Sequence, residues 1–161
     1  MQKGLSYRPA ERPDFEKICN LPQNEEELFF MFPKADFPLT VSRLESTVDS
    51  RFDSTVVLLN DEIVGFANFY EVKEGEYCSI GNVIVSSSFR NRGIGQFLIE
   101  AMEKIGIEKY HVSEFRLSCF NTNTNGFFLY SKSGYRPYGI EKWIDKMNNP
   151  FALIELKKTV Q

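Results

Sequence analysis

The sequence predicts an α/β fold of the α+β type, a sandwich built on a mixed, mostly antiparallel sheet flanked by helices. Three observations predict it. Residues 1 to 51 carry helical spacing broken by prolines, a β-branched meander opens at Ser54, and one long one-faced helix follows Gly93. At 161 residues the chain fits one domain spanning residues 1 to 161, because a single core ordinarily serves ~100 to 200 residues.

Each element follows from local chemistry. Leu5 to Arg8 suits a short edge strand. Pro13, Asp14 and Glu16 make a favourable first helical turn, with Phe15, Ile18 and Cys19 on one face and Pro22 ending the helix. Asn24 and Glu27 form a capping pair ahead of Leu28, Met31 and Phe32. Thr40 is the N-cap of a third helix, where Leu39 and Leu44 form a hydrophobic staple and Val41 and Val48 extend the stripe. Thr55 to Leu59 and Ile63 to Val72 pair as a hairpin around Asn60-Asp61, and Gly75 turns the chain into a third strand, Tyr77 to Val85. Ile94, Phe97, Leu98, Ala101, Met102 and Ile105 then share one helical face. A strand over Phe115 to Phe120, a short aromatic helix over Thr124 to Ser131, and strands from Tyr135 and over Phe151 to Leu156 complete the order.

Composition narrows the function. With 42% hydrophobic and 25% charged residues, the chain has material for a core and lacks the profile of a disordered tail. A net charge of -3 gives no positive field for a phosphate backbone, which argues against nucleic acid and suits a cationic small molecule or basic peptide better. Cys19, Cys78 and Cys119 are far apart and include no C-x-x-C pair, so they signal neither a disulfide framework nor a metal site. The N-terminal residues lack an apolar signal core, and no stretch nears the ~18 apolar residues of a membrane span. A cytoplasmic protein without a membrane partner is expected.

The segment Val83 to Gly95 runs from a strand through a polar turn into the long helix. A helix start presents amides without internal partners and a partial positive charge, so it can hold a pyrophosphate where the chain comes close, and Gly93 and Gly95 are expected to permit that approach. A P-loop is excluded because no Lys-Ser or Lys-Thr follows either glycine. A dinucleotide fingerprint fails because Leu98 stands where its third glycine belongs. An ordinary glycine-containing turn is the plain alternative.

The spacing Arg90-x-x-Gly93-x-Gly95 resembles the acetyl-CoA loop of the GNAT N-acetyltransferase superfamily. Asn123, Gly126, Leu129-Tyr130, Lys132 and Gly134-Tyr135 are similar to that family's second motif, with Gly126 replacing the usual Ala and Tyr135 the usual Phe. The specific likeness spans residues 83 to 135, and it implies a GNAT-like three-layer sandwich and an acyltransferase that uses acetyl-CoA as cosubstrate.

Carried over residue by residue, the resemblance implies that main-chain groups of Val83, Ile84 and Val85 pair with the pantetheine arm. The loop residues Arg90, Asn91, Arg92, Gly93, Ile94, Gly95 and Gln96 would bind the cofactor, with peptide groups from Asn91 to Gln96 on its pyrophosphate. Asn123 would contact the arm and Tyr130 would sit beside the sulfur. Asn123 also suits a helix N-cap, and Tyr130 also suits core packing.

Amine attack on the thioester needs a deprotonated amine, donors for the oxyanion and a contact for the departing thiolate. Amides around Ile84 and Val85 and the phenol of Tyr130 are the expected groups. A phenol near pKa ~10 gives its proton to a thiolate near ~8.5 uphill by about 2 kcal/mol, so positioning is the alternative role for Tyr130.

No base is evident. Ser118 occupies the place where many relatives carry a Glu, which leaves a carboxylate such as Glu76, or a water chain. His111 reads as a helix C-terminal or surface residue. The run from Glu25 to Phe30 reads as a solvated helix face over a buried stripe, with cation recognition as its alternative. The acceptor is an amine of a small molecule, protein or peptide whose identity the sequence does not carry, and a homodimer stays open. A non-catalytic acyl-CoA sensor is the rival function, favoured by Ser118.

Overall fold

The computed structural model describes residues 3–160. Its seven strands are β1 (Leu5–Pro9), β2 (Phe52–Leu59), β3 (Glu62–Lys73), β4 (Tyr77–Val85), β5 (Glu114–Phe120), β6 (Arg136–Ile144) and β7 (Pro150–Thr159). They form one sheet in the order β1-β2-β3-β4-β5-β7-β6, antiparallel throughout except for the parallel pair β4 and β5. The five α-helices are α1 (Phe15–Cys19), α2 (Glu25–Met31), α3 (Val41–Asp49), α4 (Ile94–Tyr110) and α5 (Thr124–Lys132).

Strand alternation divides the core into two layers. Val56, Leu58, Phe66 and Ile84 face α1, α2 and α3, whereas Val57, Val64, Ala67 and Ile80 face α4 and its neighbours. The product is the expected three-layer sandwich. Caps fix the helix starts: the Asn24 carboxamide oxygen accepts from the Glu27 amide at 2.8 Å, and Thr40 Oγ1 accepts from the Arg43 amide at 3.2 Å. The Glu27 carboxylate reaches back one residue further than a capping box, to the Gln23 amide at 3.1 Å. Leu39 and Leu44 are buried as the staple requires, but Val41 is 41% exposed. It stands at the first helical position, where α3 turns outward, and Thr47 is the residue buried further along.

The face of α4 is broader than the apolar spacing alone indicates. Ile99 is fully buried beside Leu98 and Met102, and Glu103 is buried as well. Glu103 accepts a 2.7 Å hydrogen bond from the Tyr135 hydroxyl and pairs with Lys158 at 3.1 Å, which compensates its charge.

Two irregularities shape the sheet where the two motifs meet. The parallel pairing of β4 with β5 runs only from Tyr77–Glu114 to Ser79–Arg116, after which the strands separate while β4 continues to Val85 and β5 to Phe120. On its other edge, β4 carries a bulge: the register with β3 jumps between Phe66–Ile84 and Asn68–Gly81, and Asn82 adopts a φ of 50°. The bulge is tied down by a buried chain of amides. Asn68 Nδ2 donates to Asn82 Oδ1 and Asn82 Nδ2 donates to the Met31 carbonyl, both at 2.9 Å, so β4 is anchored beneath the end of α2.

Candidate active site

The separation of β4 from β5 opens a groove of about 710 Å³. One wall is the end of β4. The Ser86 amide donates to the Val64 carbonyl at 2.8 Å, so alternation turns the main-chain groups of Ile84 toward β3 and those of Val83 and Val85 toward the groove. The side chain of Ile84 packs in the α1–α3 core. The main-chain groups that this strand offers to the groove are therefore those of Val83 and Val85, and the amide of Ile84, expected among them, faces β3 instead.

The floor is the mouth of α4. Asn91 and Gly93 have φ of 64° and 78°, and this left-handed turn swings the chain so that the first helical amides face outward. Gly93 is the N-cap and no side chain caps the helix, so these amides keep their free hydrogens. A Cβ placed on Gly93 would meet nothing within 4 Å, whereas one on Gly95 would lie 2.9 Å from Leu129 Cδ2. The two glycines thus do different work. Gly93 makes the turn in front of open space, and Gly95 lines the groove while receiving the end of the Leu129 side chain from α5.

The opposite wall is α5. Asn123 is its N-cap, accepting from the Gly126 amide at 3.0 Å through Oδ1, and it also lines the groove. Capping and groove lining thus coexist in one side chain. Tyr130 lines the groove as well, although it is only 6% exposed and packs edge-on to Tyr135 with ring centroids 6.4 Å apart. Burial, with a smaller contribution from the neighbouring Cys119, pushes its phenol well above the usual value of 10. The Cys119 thiol is itself pushed up to about 12 by burial.

Every residue expected at the site lines this groove except Arg92, whose guanidinium lies 5.3 Å from the centre of the Phe89 ring. Arg90 turns back across the strand end, donating to the Val85 carbonyl at 3.3 Å and pairing with Glu27 at 3.4 Å. Sequence reasoning missed Phe89, Asn125, Phe128 and Lys132 as lining residues, whereas Glu26 and Phe30 belong to the run for which cation recognition was the alternative reading. Lys132 was legible only as a letter of the second motif.

The position of carboxylates bears on the missing base. Among the described residues, Glu26 and Glu27 are the ones that line the groove, and Glu27 is engaged by Arg90. Glu76 does not serve: it precedes β4 at the end opposite Val85 and pairs with Lys73 at 3.3 Å. Ser118 lies on β5 opposite Glu155 of β7. His111 is the exposed left-handed C-cap of α4, at the far end of that helix from Gly93, as a surface residue would be.

Comparison with known proteins gives this geometry a context. The family model described as "Acetyltransferase (GNAT) family" matches residues 15–135. No curated protein sequence matches the chain significantly. Among solved structures, the chain is similar to a GNAT-family acetyltransferase from Bacillus anthracis, with a TM-score of 0.79 and 19% identity over 99% of this chain and 96% of that one. Spermidine N-acetyltransferase from Vibrio cholerae, solved with CoA and spermine, has a TM-score of 0.79 at 17% identity over 97% and 95%. The ribosomal-protein-S18-alanine N-acetyltransferase from Escherichia coli has a TM-score of 0.74 at 18% identity over 98% and 94%. At these identities the structural likeness concerns the fold.

Proposed function

Since the chain belongs to the GNAT acetyltransferase family, we propose that it is an N-acetyltransferase that moves the acetyl group of acetyl-CoA to a primary amine by direct attack in a ternary complex. The observation that carries this reading is the unpaired edge of β4 at Val83 and Val85, which runs alongside the uncapped mouth of α4. The edge suits the amides of a pantetheine arm, and the helix mouth suits a diphosphate. Asn123 and Tyr130 line the opposite wall, where the arm and its sulfur would lie.

In the reaction the amine lone pair forms the C–N bond at the thioester carbonyl, whose oxygen takes up charge against the amide of Val83 or Val85. The C–S bond then breaks, the electron pair leaves on sulfur, and the proton lost from nitrogen passes to solvent or to the expelled thiolate. With its phenol raised by burial, Tyr130 is a poor acid and a persistent hydrogen-bond donor. Its role is to hold the departing thiolate by a hydrogen bond.

A second reading, a non-catalytic acyl-CoA sensor, draws on Ser118 and on the engagement of Glu27 by Arg90, which leave few carboxylates to receive the amine proton. Calorimetric titration with CoA combined with a thiol-release assay on a panel of amines separates the two. CoA binding with acceptor-dependent thiol release supports the transferase. Binding without release supports the sensor, and absence of CoA binding overturns both.

A further inference from the structure

Beside the first groove lies a second pocket of about 410 Å³ between α2, the chain leading from α2 to α3, and the turn joining β6 to β7. Glu26 and Phe30 line both cavities, so the two adjoin at these side chains. Its body is aromatic. Phe29, Phe30, Phe37 and Phe151 line it, and Phe29 is fixed from behind by stacking on Phe120 with ring centroids 4.5 Å apart.

Its charges are not equivalent. Asp36 is paired with Lys146, and the Asp145 carboxylate accepts from the Met147 and Asn149 amides of its own turn at 3.0 and 2.8 Å. Glu25 and Glu26, in the first turn of α2, have no ion pair among the described residues. The pocket therefore combines aromatic walls with unpaired negative charge at the side shared with the cofactor groove.

Building on the transferase reading, we propose that this pocket selects the acceptor as a small primary amine borne on an aromatic body, an arylalkylamine, with Glu26 positioning its ammonium toward the thioester. A face-on or edge-on ring gains burial against Phe29, Phe30 and Phe37, while the cation meets the carboxylate that faces both cavities. A polyamine has no ring to bury against these aromatic walls and forgoes that contribution.

Trp143 provides a readout independent of turnover. It is the sequence's only tryptophan, and its ring stands edge-on to Phe29 with centroids 5.6 Å apart. Phenethylamine titrated into the full chain is expected to give a saturable change in its emission, with spermidine at least about tenfold weaker. Glu26→Gln is expected to weaken phenethylamine about tenfold, and in turnover to raise its KM by about that factor with kcat within about twofold.

The proposal is overturned by the absence of a saturable response, by spermidine binding as well as phenethylamine, by an unchanged Glu26→Gln variant, or by a tripeptide with an N-terminal Phe binding tenfold tighter than phenethylamine. A CoA titration keeps the two readings apart. Phenethylamine binding without CoA binding sinks the transferase and leaves the aromatic amine pocket, whereas CoA binding without phenethylamine binding sinks the pocket assignment alone.

Discussion

Arg90 Nη1 lies 3.4 Å from Glu27 Oε2, joining the loop before α4 to α2 across 63 residues of sequence. The pair sets two opposed charges at one mouth of the groove. Removing the acid takes away repulsion toward an anionic ligand and releases the guanidinium, while removing the base does the reverse. Glu27→Gln is therefore expected to lower the KM for acetyl-CoA about threefold and Arg90→Gln to raise it about tenfold, with both effects shrinking at high salt. Steady-state kinetics at two ionic strengths check this, and effects of the same sign in both variants would refute it.

The unlike roles of the two glycines predict unlike variants. Gly93→Ala has space for its methyl group but must hold a φ of 78°, which costs about 1–2 kcal/mol. Gly95→Ala gains about 1 kcal/mol of helix propensity, which contact with Leu129 offsets. In a Leu129→Ala background the same change should become stabilising. Denaturant unfolding of the parent and the three variants of the Gly95–Leu129 cycle measures the sign change, and additive effects would contradict the packing account.

Tyr130 makes a pH prediction. An alkylamine acceptor of pKa ~10.4 must shed its proton, so kcat/KM should climb about tenfold per pH unit between about pH 7 and 9. The Tyr130 phenol is raised by burial and remains protonated through that range, so it adds no alkaline decline. Tyr130→Phe should lower kcat about tenfold or more while leaving the KM for acetyl-CoA within about threefold. A pH–rate profile that falls between pH 8 and 9 in the parent but not in the variant would oppose this role.

Asp14 ties β1 to the start of α1. It accepts from Arg8 at 2.7 and 2.9 Å and from the Glu11 amide at 2.7 Å, and the Arg8 hydrogen bonds are the largest influence lowering its pKa from 3.8. A carboxylate depressed on folding contributes stability that is fully present above its unfolded pKa and lost as pH falls through the lower folded value. Asp14→Asn should thus cost about 1.5–3 kcal/mol at neutral pH. Its deficit relative to the parent should close as the pH drops below the ordinary carboxylate value. Urea unfolding at several pH values tests the trend, and a deficit that widens on acidification would reverse the sign.

The features legible in the sequence were those written in neighbouring residues. Asn24, Thr40 and the hairpin around Asn60 carry their signals within a few positions, and the Gly93 loop announces itself before a helix with a regular apolar face. The bulge at Asn82 was not legible, because an Asn within a β-branched run looks the same whether it pairs normally or takes a positive φ. The buried Glu103 was equally hidden, since its partners Tyr135 and Lys158 are supplied by distant segments. Val41 was misplaced because apolar spacing cannot tell which side of a first helical turn faces outward. The aromatic pocket needed the β6–β7 turn to meet α2, a contact between segments more than a hundred residues apart.

The place of β7 between β5 and β6 has a consequence for synthesis. A ribosome delivers β6 before β7, the one strand it pairs with among the described residues, so β6 must wait unpaired until that partner emerges and slots in beside β5. The elements that line the first groove, through α5, all precede β6 and β7 in the chain, so that side of the molecule can take shape on a nascent polypeptide before the wall carrying Phe151 is complete.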